Sequence, residues 1–165
     1  MIEVEYERSK AVSYALTWAL SRNPEYYDYA GLGGDCTSFA SQCVYAGSKI
    51  MNYTPTFGWY YLNANNKSPS WSGVSYFYDF MTTNEDVGPF GEDAPLSNLL
   101  PGDIIQLKNS EGRFYHTLVL TEIRTVRGRR NYYVCAHNYD AKNRNLNTYN
   151  YADIRCIHIL GVRKY

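Results

Sequence analysis

The chain has 165 residues, with 16 Lys and Arg against 16 Asp and Glu, so it carries no net charge and lacks the basic footprint of a nucleic-acid binder or a protein held electrostatically on a membrane. Hydrophobic residues make up 45% and charged ones 19%, a balance that excludes disordered, collagen-like and coiled-coil chains. The length fits one domain, residues 1–165, and no repeat, linker or apolar run of about 18 residues divides it or marks a membrane span.

Ala11, Val12, Ala15, Leu16, Ala19 and Leu20 recur at helical spacing and stop at Asn23-Pro24, which predicts an amphipathic helix over 5–22. The start of the chain, Met1-Ile2-Glu3-Val4-Glu5, lacks the basic and apolar regions of a signal peptide, so the chain is expected to be cytosolic or a domain of an exported protein. After Gly31-Leu32-Gly33-Gly34, Asp35 is a good N-cap for a second helix over 36–46, with Gly47 as its C-terminal cap. Residues 52–72 carry Trp59, Tyr60, Tyr61 and Trp71 among Asn, Ser and Pro, and read as a long aromatic loop of the kind that is often functional. A short helix over 75–81 and a surface connection over 84–95 follow.

From Pro101 the pattern changes to strands. Pro101-Gly102-Asp103 turns into 104–107, a hairpin at 109–112 leads to 116–120, and further strands follow over 132–137 and 154–162. Helices first and an antiparallel meander second predict an α+β domain with N-terminal helices packed on one face of the sheet.

Gly33-Gly34-Asp35-Cys36-Thr37-Ser38-Phe39 is the sharpest chemical signal, because the glycines turn the backbone and a cysteine opens a helix. At that position the unpaired amides and the helix dipole favour thiolate and can hold an oxyanion. A nucleophilic cysteine needs a base, and there are three histidines. His116 opens an apolar strand after the hairpin and is the leading candidate. His137 ends the next strand and is expected beside His116, orienting its ring, with Asn138 as the alternative third member. His158 lies inside the last apolar strand and reads as a satisfied core histidine.

A rival arrangement is Cys135-x-His137 with Cys156-x-His158, which offers two sulfurs and two imidazoles to zinc if those strands pair, or a Cys135 to Cys156 disulfide. Free buried thiols are the plainer expectation. The 18 tyrosines suit half-buried walls that grip polar ligands, although most serve to shield sheet faces.

The run Asp35-Cys36-Thr37-Ser38-Phe39-Ala40-Ser41-Gln42-Cys43-Val44-Tyr45-Ala46-Gly47, after Asn23-Pro24 and Gly33-Gly34, resembles the nucleophile helix of the bacterial putative amidase domain family. That family is similar to the NlpC-like and CHAP peptidases of the papain-like superfamily. The resemblance continues through Ser70-Trp71, Gly102-Asp103-Ile104, His116 with its apolar strand, and Ala136-His137 near Asp140.

The resemblance implies a papain-like fold and a cysteine amidase or peptidase with Cys36 as nucleophile, His116 as base and His137 as third polar residue. It also implies a peptide or amide substrate such as cell-wall peptidoglycan, an extracellular or cell-wall setting, and no metal or cofactor. Asp35 is expected to cap the helix or touch substrate, and Trp59, Tyr60 and Trp71 to line the cleft. The other class of function open to the sequence is an inactive module that binds wall polymer or a partner through its aromatic cleft.

Overall fold

A computed structural model describes residues 1–165. The chain opens with a short strand β1 (Ile2–Val4) and helix α1 (Arg8–Trp18), followed by the central helix α2 (Cys36–Ser48). A small hairpin, β2 (Tyr61–Asn63) with β3 (Asn66–Lys67), leads to helices α3 (Pro69–Ser72) and α4 (Val74–Thr83). Then come strands β4 (Gly88–Asp93), β5 (Ile104–Lys108), β6 (Phe114–Val126), β7 (Arg129–Ala136), β8 (Ala141–Asn145) and β9 (Asp153–Lys164). The fold is α+β, as the sequence predicts. No helix is long and apolar enough to cross a membrane.

The large sheet runs β1-β9-β5-β6-β7-β8, with β4 also paired to β9, and all its pairings are antiparallel. Period-two alternation divides its side chains between two cores. Ile104, Val119, Cys135 and Ile157 face the helices and pack with Phe39, Val44, Trp59, Trp71 and Phe77. Ile105, Leu107, Leu118, Leu120, Val134 and Cys156 form the opposite face, closed by Leu99 and Leu146.

Helix α1, which is shorter than predicted, presents Ala11 and Ala15 and its C-cap Ala19 to this core, all fully buried, whereas Leu20 of the predicted stripe is exposed. Every residue of α2 from Cys36 to Val44 is buried, so the helix is wrapped on all sides. Gly47 does not end α2. It lies within the last turn, where a Cβ would sit 2.6 Å from the Tyr6 ring, and Lys49, with φ 60°, is the cap.

Three other expectations are corrected. The 84–95 connection contains β4, whose glycines and proline hide a strand signal. The 52–72 segment is not an open loop. Asn52 bridges to Trp59, and Ser70 Oγ donates to Gly58 O at 2.6 Å, folding it onto the core. Finally, β9 pairs with β5 and not with β7, so Cys135 and Cys156 lie on non-adjacent strands and in opposite cores. The two Cys-x-His pairs therefore do not meet, and all four cysteines are free and buried.

Candidate active site

The segment before α2 is shaped by its glycines. Gly33 and Gly34 hold φ values of +89° and +115°, a region that glycine enters without strain, and the turn brings Asp35 back to the Tyr29 amide. Asp35 occupies the N-cap position but its carboxylate caps nothing in its own helix. Instead Oδ1 accepts from the Tyr29 N–H at 2.9 Å and Oδ2 meets His137 Nδ1 at 2.5 Å. Fully buried and doubly engaged, Asp35 is not available to touch substrate.

His137 is correspondingly displaced from its expected role. Its Nε2 lies 2.7 Å from the Trp18 carbonyl, and its ring stacks on Phe39 of α2 at 3.9 Å. The register explains this: Val119 pairs with Cys135, so continuing two residues sets Thr117, not His116, across from His137. Neighbours across strands share a face, so His137 and Thr117 face the helices while His116 faces the other way. Both ring nitrogens of His137 are bound elsewhere, and the residue does not orient His116.

Cys36 is the first residue of α2, where the first-turn amides have no helical partner. Its sulfur lies 3.7 Å from Thr37 Oγ1, and the Thr117 backbone amide is near enough to favour its charged form. Burial pushes the Cys36 thiol up, the bonds from Thr117 and Thr37 pull it down, and the Asp35 charge adds to the rise. The thiol is thus neutral at rest, not the preformed thiolate that the helix terminus alone would favour.

His116 is one residue from that Thr117 amide. Its ring makes no hydrogen bond to Cys36. It lies 5.9 Å from the Tyr115 ring and 6.2 Å from the Tyr149 ring, and burial, with the charge of Arg144, lowers it to about 4. His158 is tied through Nδ1 to Asp103 at 2.7 Å, as a structural histidine would be. Among the three imidazoles, His116 alone has no hydrogen-bonded partner.

Asn138, the alternative third member, sits in left-handed conformation (φ 59°) just beyond β7. Its Oδ1 accepts from the Asp35 N–H at 3.0 Å, and its Nδ2 occupies the space a Cβ on Gly34 would need, 2.3 Å away. It clamps the loop that leads into Cys36. Arg22, which no sequence pattern marked, locks the same corner by a two-pronged pair to Asp140 at 2.9 and 3.0 Å.

Trp59 and Trp71 do not line a cleft. Both are fully buried, their rings 5.0 Å apart, and Trp59 Nε1 donates to Ser41 Oγ. Tyr60 is half-buried, with its ring 6.0 Å from Tyr53. Sequence reading also missed Gln106, Thr117 and Thr37, which form a buried polar file beside Cys36. Their only signals are a single polar residue inside the apolar runs of β5 and β6 and a threonine after the cysteine that opens α2.

The model of the family described as "Putative amidase domain" matches residues 5–160, nearly the whole chain. The chain belongs to that family. A Bacillus subtilis (strain 168) protein called "Uncharacterized protein YhbB" is 32% identical over 120 residues, which is 70% of this chain and 37% of that protein. The chain thus spans little more than a third of that relative's length. No solved structure matches it. Family membership associates the domain with amide hydrolysis.

Proposed function

We propose that the domain is a cysteine-dependent amidase or peptidase of papain-like, NlpC/CHAP type, acting on a peptide or amide of the bacterial cell wall. The observation that supports it most is the placing of Cys36 at the start of a buried helix, its sulfur 3.7 Å from the Thr37 hydroxyl, with the unpartnered His116 beside Thr117 on the neighbouring strand. Both ring nitrogens of His137 and the Nδ1 of His158 are committed elsewhere, and His116, one residue from Thr117, is the base we assign.

The resting pair is neutral, thiol and imidazole. At rest His116 faces away from Cys36, so its side chain must first swing to the helix side of β6; there, as Cys36 Sγ attacks the amide carbonyl carbon, it takes the thiol proton. The S–C bond forms, the carbonyl electron pair moves onto oxygen, and the Cys36 N–H with its unpaired neighbours in the first turn holds that oxyanion. Collapse breaks the C–N bond, and the imidazolium gives its proton to the departing amine. His116 then takes a proton from water, hydroxide attacks the thioester, and the C–S bond breaks to release a carboxylic acid and the thiol.

Incubation with purified bacterial cell walls tests this. The expected result is one new amino group for each new carboxyl group, together with an acyl adduct on the Cys36 peptide that hydroxylamine removes. Release of wall fragments without new amino groups, or an adduct on another residue, overturns the proposal. Binding to walls with no new end groups supports the non-enzymatic module instead.

A further inference from the structure

Gln106 is fully buried on β5, and three bonds fix the sense of its amide. Its Oε1 accepts from Arg155 Nε at 2.8 Å, and its Nε2 donates to the Val74 carbonyl at 2.9 Å and reaches Thr117 Oγ1 at 3.2 Å. An arginine nitrogen only donates and a carbonyl only accepts, so the amide cannot be turned round. Thr117 Oγ1 therefore accepts from Gln106, which leaves its own proton for Thr37 Oγ1, 2.9 Å away. The Thr37 hydroxyl is left with its proton directed at Cys36 Sγ, 3.7 Å away.

Every donor in this file points the same way, from a guanidinium to a sulfur. Register makes the file possible, since β5 pairs Gln106 with Arg155 on β9 and with Thr117 on β6. At its far end the Arg155 guanidinium is clasped between the rings of Tyr78 and Phe114, at 3.8 and 3.9 Å, and makes no ion pair with a carboxylate. Asp79 and Asp93 act on it only at a distance. Hydrogen bonds in such a row polarise one another, and a bond to a charged acceptor is about twice as strong as one to a neutral acceptor.

We infer that Arg155, Gln106, Thr117 and Thr37 are positioning residues that form a one-way hydrogen-bond relay, which stabilises the Cys36 thiolate as it forms and holds the sulfur for attack. This rests on the reading of Cys36 as the nucleophile. A threonine at position 37 of a helix ordinarily turns its hydroxyl to the preceding turn or to water. Here it is buried and faces a second buried threonine, which core packing alone would fill with valine.

The test reads the sulfur itself. Alkylation of Cys36 by iodoacetamide, followed by peptide mass spectrometry across a pH series, gives the midpoint at which the thiolate forms. The charged and titratable groups around that sulfur are Asp35 at the helix start, His116 on β6, and His137 and Arg22 behind Asp35, and none is altered by the variants.

Thr37→Val and Thr117→Val should each raise the midpoint by about one unit, while Thr37→Ser, which keeps the hydroxyl, should leave it within about 0.3 unit of wild type. Arg155→Met should raise it by a smaller amount. Should a valine variant fail to fold, Arg155→Met at the half-exposed end decides. An unchanged midpoint in folded Thr117→Val and Arg155→Met overturns the relay, even where Cys36→Ala is inactive. Full activity of Cys36→Ala would instead remove the amidase reading and leave the midpoints to be judged by themselves.

Discussion

Asp35 Oδ2 and His137 Nδ1 lie 2.5 Å apart, with each side chain only 1% exposed, and they join the start of α2 to the end of β7. His137 also meets the Trp18 carbonyl, so the pair ties together three segments: the end of α1, the loop before Cys36 and the strand end. Its role is to hold the loop in place, and its loss is felt in stability before chemistry.

His137→Ala should therefore cost about 3–5 kcal/mol in urea unfolding, because it leaves a buried carboxylate without its partner. Asp35→Asn should cost a similar amount. The double variant should cost clearly less than the two single losses added together, which is the signature of a shared interaction. Additive losses would show that the two side chains act separately.

Gly34 and Asn138 form a second constraint on the same loop. Gly34→Ala places a methyl 2.3 Å from Asn138 Nδ2 and forces φ +115° on a residue with a Cβ, so it should destabilise by about 2–4 kcal/mol. Adding Asn138→Ala removes the collision but not the backbone strain. Thermal unfolding should show partial recovery only, and full recovery would mean that the φ value carries no cost.

His116 gives stability a pH dependence with a definite sign. Its folded value, about 4, lies below the ordinary 6.5, so between these values the unfolded chain binds more protons than the folded one. Stability should fall as pH drops from about 6.5 to about 4, by up to about 3 kcal/mol from this group. His116→Gln should lose that component, seen as a smaller difference in Tm between pH 7 and pH 4.5 than wild type shows. An equal difference in both proteins would mean that carboxylates alone govern the acid limb.

The indoles separate packing from ligand contact. Trp59→Ala and Trp71→Ala empty fully buried sites and should each cost about 3–5 kcal/mol, whereas Tyr60→Ala, half-buried, should stay below about 1.5 kcal/mol. Near-native stability of either tryptophan variant would return that residue to the surface.

Much of this was legible in the sequence. The double glycine before Cys36 marked a turn into a helix, and the apolar runs at 104–107 and 116–120 marked strands, because those signals are local. What the sequence hid depended on pairing. Residues 84–95 read as a connection because Gly88, Pro89 and Gly91 suppress strand propensity, although Gly91 lets β4 close on the His158 carbonyl, 2.5 Å from where a Cβ would stand. Trp59 and Trp71 read as cleft walls because their neighbours are polar, yet Ser41 takes the Trp59 indole N–H, Ser68 and Ser70 bond backbone groups, and the Trp71 indole N–H is buried without a partner. That His137 meets Asp35 and not His116 is hidden in the sequence, because a one-residue change of register moves a side chain to the other face of the sheet.

The central claim is that Cys36 forms the bond to the substrate carbonyl, and turnover of Cys36→Ala measures it most directly. On cell walls that the wild type cleaves, with folding confirmed by circular dichroism, the variant should be slower by at least about a thousandfold, since nucleophile and base act as a unit. Turnover within tenfold of wild type would contradict the assignment of Cys36 and the mechanism built on it.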